Sequence, residues 1–130
     1  MLSKLELKAT RDTPEIIFNP ATSQFEISGN SLPEDTSKFF DPVLDWMEEY
    51  VKSPNKNTIL KCQLEYFNSS SAKMLYQLFI ELEKIKEFGS DVKINWYYEP
   101  GDSLIEEKGL EYHSILDLPF EMVEVKWYFE

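Results

Sequence analysis

The sequence is poor in basic residues, cysteine and histidine. Thirteen lysines and arginines stand against 24 aspartates and glutamates, which gives a formal net charge of -11. This excess of acid repels phosphate backbones and anionic lipid, so we expect neither nucleic acid nor a membrane surface as a partner. One histidine and one cysteine supply no zinc spacing, and a single cysteine excludes a disulfide within the chain. We therefore predict no metal site.

Long apolar runs and phosphate-binding glycine loops are also missing. No stretch reaches the roughly 20 apolar residues that a membrane helix needs. The N-terminus lacks the apolar core of a secretory signal. The four glycines match neither the dinucleotide-binding nor the P-loop pattern. The sequence therefore predicts a cytoplasmic protein without a membrane anchor or a cofactor.

The residues that are present predict one globular domain over residues 1–130. The chain is 42% hydrophobic and 15% aromatic, which is enough apolar side chain for a single core. Residues 1–12 are polar and irregular, and we expect them to form a loose N-terminal arm.

Periodic patterns of apolar side chains predict an α/β fold with a mixed sheet of about five strands and three main helices. The order is β-β-α-β-α-β-α-β, and strands that are separated by helices require crossover connections, so part of the sheet is parallel. The predicted strands cover residues 13–20, 23–31, 57–67, 91–98 and 121–129, and the predicted helices cover residues 35–54, 70–88 and 101–116.

The strand over residues 57–67 carries the single cysteine. Strict alternation places Leu60, Cys62, Leu64 and Tyr66 on one apolar face. Cys62 is therefore expected to be a buried structural thiol rather than a nucleophile.

The starts of two helices have recognisable capping patterns. Asp41 precedes Pro42, which suits the first position of a helix. Ser103 and Glu106 have the spacing of a capping box. Gly109 weakens the prediction that the third helix is continuous.

The stretch "LEYFNSSSAKML", residues 64–75, brings three serines to the point where a strand ends and a helix begins. One of Asn68, Ser69 and Ser70 is expected to cap the helix, because a helix start leaves backbone N–H groups unpaired. Capping requires only one of these side chains. A second interpretation is a modification site, since a phosphoryl group at a helix start gains from free N–H donors and the helix dipole.

Catalytic interpretations of the same serines find little support in the sequence. Ser70 and Lys73 fit the S-x-x-K pattern, but its companion motifs are absent. His113 is the only histidine, and no G-x-S-x-G elbow surrounds the serines. We therefore predict a protein that is not an enzyme. The alternative is a small enzyme or ligand-binding domain with a cleft near Tyr97, Tyr98 and Glu99.

Four stretches together resemble the SiaC family of regulatory phosphoproteins: "TPEIIFNP" with "FEISGNSLPED", "FFDPVLDWMEEY", "LEYFNSSSAK" and "INWYYEPGD". They span about residues 13–102. The resemblance implies a STAS-type fold, like that of anti-sigma-factor antagonists. It also implies three partners: an anti-sigma-factor-type kinase, a PP2C-type phosphatase that reverses its action, and a diguanylate cyclase that the unphosphorylated form activates.

The resemblance also implies where the switch lies. The phosphoacceptor of the family follows the asparagine of an N-[ST]-S stretch. That position is Ser69 in this sequence, and Ser70 remains the alternative acceptor. The partner-binding surface that follows from this position consists of Asn68, Ser69, Ser70, Ser71 and Lys73.

Overall fold

The computed structural model describes residues 2–125. Nine main elements follow one another in this part of the chain, and a short 3₁₀ turn over Lys84–Phe88 extends the second helix. The elements are β1 (Leu5–Leu7), β2 (Glu15–Asn19), β3 (Gln24–Ser31), α1 (Thr36–Tyr50), β4 (Asn57–Phe67), α2 (Ser69–Glu83), β5 (Asp91–Tyr98), α3 (Ser103–Ile115) and β6 (Phe120–Glu124).

The strands form one mixed sheet in the order β1-β2-β3-β4-β5-β6. The first three strands pair antiparallel, whereas β3, β4, β5 and β6 pair parallel. A connection from one parallel strand to another through a helix is right-handed. Here the connections through α1, α2 and α3 each lead to the adjacent strand, always towards β6. The three helices therefore lie on one face of the sheet.

The core lies between this face and the helices, and no element of residues 2–125 covers the other face of the sheet. On β4, Leu60 and Cys62 point into the core, whereas Ile59 is 41% exposed on the opposite face. Trp96 at the centre of β5 is also fully buried. Within residues 2–125, no helix is both long enough and apolar enough to span a membrane.

The prediction of an α/β fold with three main helices and a mixed sheet is confirmed, but the count of five strands is wrong. Residues 1–12 were expected to form a loose arm, yet Leu5–Leu7 pairs antiparallel with β2 as a sixth strand. Leu5 and Leu7 are half-buried against the core. Such a short strand is stabilised by its pairing with the edge of the sheet. A sequence of three residues does not predict that pairing. Of the predicted closing strand, residues 126–129 lie outside the described part.

A β-bulge corrects the predicted orientation of Tyr66. In the ladder between β3 and β4, Gly29 pairs with Leu64 but Asn30 pairs with Tyr66, so Glu65 is an extra residue. The extra residue reverses the alternation beyond it. Tyr66 is therefore 45% exposed, and Phe67 is buried in its place.

Two predicted helix caps, Asp41 and Ser103, are wrong, because a different side chain caps each helix. Helix α1 begins at Thr36, where the Asp35 carboxylate accepts a hydrogen bond from Lys38 N at 3.1 Å. Pro42 therefore lies inside α1, on the exposed side of the helix. In α3 the cap is Asp102, which accepts a hydrogen bond from Ile105 N at 3.2 Å.

The thiol of Cys62 is buried, as predicted, and burial raises its pKa well above the ordinary value. A thiol that remains protonated and enclosed reacts slowly, because the thiolate is the nucleophile. We expect a thiol reagent at pH 7 to label the folded protein at least ~100-fold more slowly than the urea-unfolded protein. Equal labelling rates in the two states would contradict this placement of Cys62.

Candidate functional site

The predicted site lies where β4 ends and α2 begins. Asn68 follows β4 in an extended conformation, and its side-chain oxygen accepts a hydrogen bond from Ser71 N at 2.9 Å. Asn68 is therefore the residue that caps α2, which begins at Ser69. This leaves the hydroxyls of the three serines free for other roles.

The three serines lie in three different environments. Ser69 is exposed, and its hydroxyl forms no hydrogen bond with any of residues 2–125. The Ser70 hydroxyl is exposed but lies 2.8 Å from the Thr36 hydroxyl, and it donates to the Asn68 side-chain oxygen at 3.2 Å. The Ser71 hydroxyl is buried and lies 2.8 Å from that of Ser31.

Ser71 consequently leaves the predicted partner-binding set. Its side chain has no exposed surface, so it cannot contact a partner in this fold. Asn68, Ser69, Ser70 and Lys73 retain exposed or half-exposed side chains at the start of α2. We call these four residues the switch surface.

Hydrogen bonds hold the end of β3 and the start of α1 against the switch surface. The Asn68 N–H donates to the Ser31 carbonyl at 3.0 Å, and the buried hydroxyls of Ser31 and Ser71 form a second hydrogen bond between β3 and this segment. The Thr36–Ser70 hydrogen bond joins the first residues of α1 and α2. The N-terminal ends of two helices therefore converge near Ser69, and both helix dipoles are positive there.

The charges around the switch surface are mixed. Lys73 lies one helical turn after Ser69 on the exposed side of α2, as the i,i+4 spacing requires. Glu34 and Asp35 are exposed just before α1. Within residues 2–125, no group of three His, Cys, Asp or Glu side chains could hold a metal ion.

Among residues 2–125, the catalytic pairings considered above, Ser70 with Lys73 and a serine with His113, form no hydrogen bond. In the described part of the chain, Ser70 hydrogen-bonds Thr36 and Asn68 rather than Lys73. His113 is exposed near the end of α3, and its ring lies 5.5 Å from that of Phe120. The predicted cleft does exist, because Tyr97, Tyr98 and Glu99 line a cavity at the carboxyl end of β5.

The buried Ser31–Ser71 pair should matter more for stability than the exposed serines. Ser71→Ala leaves the Ser31 hydroxyl buried without its partner, which should lower the free energy of unfolding by about 1–3 kcal/mol. Ser70→Ala, the matched control, breaks exposed hydrogen bonds and should stay within about 0.5 kcal/mol. Urea denaturation of both variants measures the difference. Equal stabilities would show that the buried hydroxyl pair contributes nothing.

Comparison with known proteins adds relatives that cover nearly the whole chain. An uncharacterised protein of Pseudomonas aeruginosa (strain UCBPP-PA14) is 27% identical over 119 residues, which are 92% of this chain and 94% of that protein. The solved structure of SiaC of Pseudomonas aeruginosa is 26% identical, with a TM-score of 0.85, and the match covers 95% of this chain and 99% of that one.

A second solved structure contains a partner. It is the diguanylate cyclase SiaD in complex with its activator SiaC from Pseudomonas aeruginosa. The match has a TM-score of 0.86 and 26% identity, and it covers 93% of this chain and 99% of that one. The sequence model of the SiaC family of regulatory phosphoproteins matches residues 7–129. The chain therefore belongs to the SiaC family of regulatory phosphoproteins.

Proposed function

We propose that this protein is a non-enzymatic, phosphorylation-controlled binding module of the cytoplasm, whose unphosphorylated form binds and activates a diguanylate cyclase. The observation that carries the proposal is the Ser69 hydroxyl, which is exposed at the start of α2 and has no hydrogen-bond partner among residues 2–125. The similarity to the SiaC of the SiaD–SiaC complex supports a cyclase as the partner.

The environments of the three serines favour Ser69 as the phosphoacceptor. A kinase must reach the hydroxyl and remove its proton, and the buried Ser71 hydroxyl is out of reach. Modification of Ser70 would break its hydrogen bonds to Thr36 and Asn68. Modification of Ser69 breaks no hydrogen bond within the described part of the chain, so it disturbs the fold least.

A phosphoryl group on Ser69 should be compatible with the folded state. Asn68 already satisfies the N–H of Ser71, which leaves the N–H groups of Ser69 and Ser70 as donors at the positive end of α2. The Lys73 ammonium is one turn away and can pair with phosphate oxygens. Glu34 and Asp35 oppose this gain because they add negative charge in front of α1.

A phosphoryl group on Ser69 should also oppose docking of a partner. Phosphate adds nearly two negative charges at pH 7, and a partner that covers the switch surface would have to desolvate them. In this proposal an anti-sigma-factor-type serine/threonine kinase adds the group and a PP2C-type phosphatase removes it. The proposal includes a STAS-type fold and a partner-switching logic like that of anti-sigma-factor antagonists.

Phosphorylation by a kinase of this type tests the proposal directly. We expect mass spectrometry of protein treated with ATP and the organism's anti-sigma-factor-type kinase to locate one phosphate on Ser69. Ser69→Ala should abolish the modification, because the acceptor oxygen is missing. Treatment with the PP2C-type phosphatase should restore the original mass.

Ser70→Ala is the matched control, since it removes a neighbouring exposed hydroxyl from the same helical turn. It should retain phosphorylation on Ser69. A phosphate that maps to Ser70, or one that persists in Ser69→Ala, would show that the acceptor has been assigned wrongly.

A further inference from the structure

The sheet divides at its carboxyl end between β4 and β5. The ladder between these strands ends where Cys62 pairs with Trp96. Beyond this point β4 stays paired with β3 as far as Phe67, whereas β5 stays paired with β6 as far as Tyr98. Main-chain groups on the facing edges therefore lie outside the β4–β5 ladder, although both strands are interior strands of the sheet. Each of these main-chain groups is a hydrogen-bond donor or acceptor, so the gap is bordered by polar backbone.

The bulge in β4 lies beside this gap. Glu65 is the extra residue, and a bulged strand bends away from a regular path. On the neighbouring strand Gly29 has a φ of 101°, a backbone conformation that other residues rarely adopt. Bulges are over-represented next to functional sites because they re-aim side chains.

A cavity of about 300 Å³ occupies the gap. This volume is at the lower end of the range for small-molecule sites. In open α/β sheets, ligands bind outside the carboxyl ends of the strands, which is where this cavity lies. The side chains that matter for its chemistry are those of Gln63, Glu65, Tyr97, Tyr98, Glu99 and Asp102.

The charge of the lining selects a class of ligand. Three lining residues are carboxylates, and none of the described lining residues is Lys, Arg or His. Burial, and after it the charges of Glu106 and Glu124, raise the pKa of Tyr98, so further negative charge surrounds the cavity. This field opposes phosphates and other anions and attracts cations.

Aromatic rings in the lining add a second reason to expect a cation. Tyr97 and Tyr98 both line the cavity, and tyrosine rings attract ammonium and guanidinium groups through their faces. The Lys61 ammonium already lies over the Tyr97 ring, 4.9 Å from its centroid, so it occupies one face of that ring. The carboxylate of Asp102 is partly committed, because it caps α3. Glu65 and Glu99 are exposed and remain the principal charges for an incoming group.

We propose that the crevice between the diverging ends of β4 and β5 binds an organic cation through an alkylammonium or guanidinium group. The group belongs either to a free small molecule or to a lysine or arginine side chain of a protein partner. No residue of the switch surface lines this crevice, so the proposal does not rest on Ser69 or on its phosphorylation.

Two-dimensional NMR of the full chain tests the proposal. Putrescine should shift the amide signals of Gly29 and Gly101, which belong to β3 and to the loop before α3, and the shifts should saturate. Butanediol of the same length, which is neutral, should leave them in place. Acetyl-arginine amide distinguishes the two sources: tighter binding than putrescine indicates a side chain of a partner, and weaker binding indicates a free small molecule.

Matched charge variants connect the binding to the crevice. Glu65→Gln combined with Glu99→Gln should weaken putrescine binding roughly fivefold, the effect of two exposed ion pairs. Glu87→Gln combined with Glu107→Gln makes the same change of net charge at exposed positions elsewhere, and it should alter binding less than twofold. Absent shifts, equal shifts with butanediol, or equal weakening by both double variants would overturn the proposal.

Discussion

Under the proposed function, Ser69→Asp should weaken binding of the diguanylate cyclase partner by about tenfold or more, which corresponds to about 1.4 kcal/mol. The reason is electrostatic, because the partner must cover a carboxylate where it previously covered a neutral hydroxyl. Aspartate carries about one charge and phosphate nearly two, so the phosphorylated protein should bind still more weakly. Cyclase activation should fall in parallel with binding. Titration calorimetry and a cyclic di-GMP assay measure the two effects.

The same variant should be nearly as stable as the wild type. The Ser69 side chain is exposed and contributes no hydrogen bond within residues 2–125. A negative charge in the first turn of α2 is mildly favourable. A loss of binding without a loss of stability would therefore be a direct effect on the interface.

Ser103→Asp is the matched control for Ser69→Asp. Ser103 is also exposed, and it is also the first residue of a helix that an Asx side chain caps. Its substitution should leave cyclase binding within about twofold of the wild type, because Ser103 begins a different helix and lies outside the switch surface. The interpretation of Ser69 as the switch fails if Ser69→Asp binds as tightly as the wild type, or if both variants bind equally weakly.

The elements that could be predicted from the sequence are those with strong local periodicity. Alternation in β4 and β5 and the apolar stripe of α2 each extend over several residues, so tertiary packing agrees with the local pattern. Three-residue β1 has too few residues for a pattern. The exposure of Tyr66 depends on a bulge, and that bulge is defined only by pairing with β3.

The candidate site was only partly predictable, because much of its geometry depends on contacts between residues that are distant in the sequence. The local sequence predicts a cap among Asn68, Ser69 and Ser70, and the structure shows that Asn68 is that cap. The separate environments of Ser69, Ser70 and Ser71 depend on contacts with Thr36 and Ser31, which lie more than 30 residues earlier in the chain. The crevice near Tyr97 likewise depends on where the β4–β5 pairing ends, which is a property of the sheet rather than of either strand.

Gly109 shows how a residue that weakens a helix in isolation can be required by packing. Helix α3 continues through Gly109, which is buried against β5 and β6. A Cβ atom at this position would overlap the Trp96 indole ring and would lie 2.8 Å from Met122 Cε. The indole N–H donates to the Ile105 carbonyl at 3.0 Å, so the ring is held against the helix.

Gly109→Ala should therefore destabilise the protein by about 1–2 kcal/mol. Overpacking of a core costs typically about 1–3 kcal/mol, and the better helix propensity of alanine returns at most about 1 kcal/mol. The Met122 side chain can shift, but the Trp96 ring is rigid, buried and hydrogen-bonded, so the clash should dominate. Urea denaturation gives the free energy of unfolding. Glu107→Ala, an exposed substitution in the same helix, should change it by less than about 0.5 kcal/mol. If Gly109→Ala is as stable as Glu107→Ala, then α3 does not approach Trp96 as closely as the structure shows.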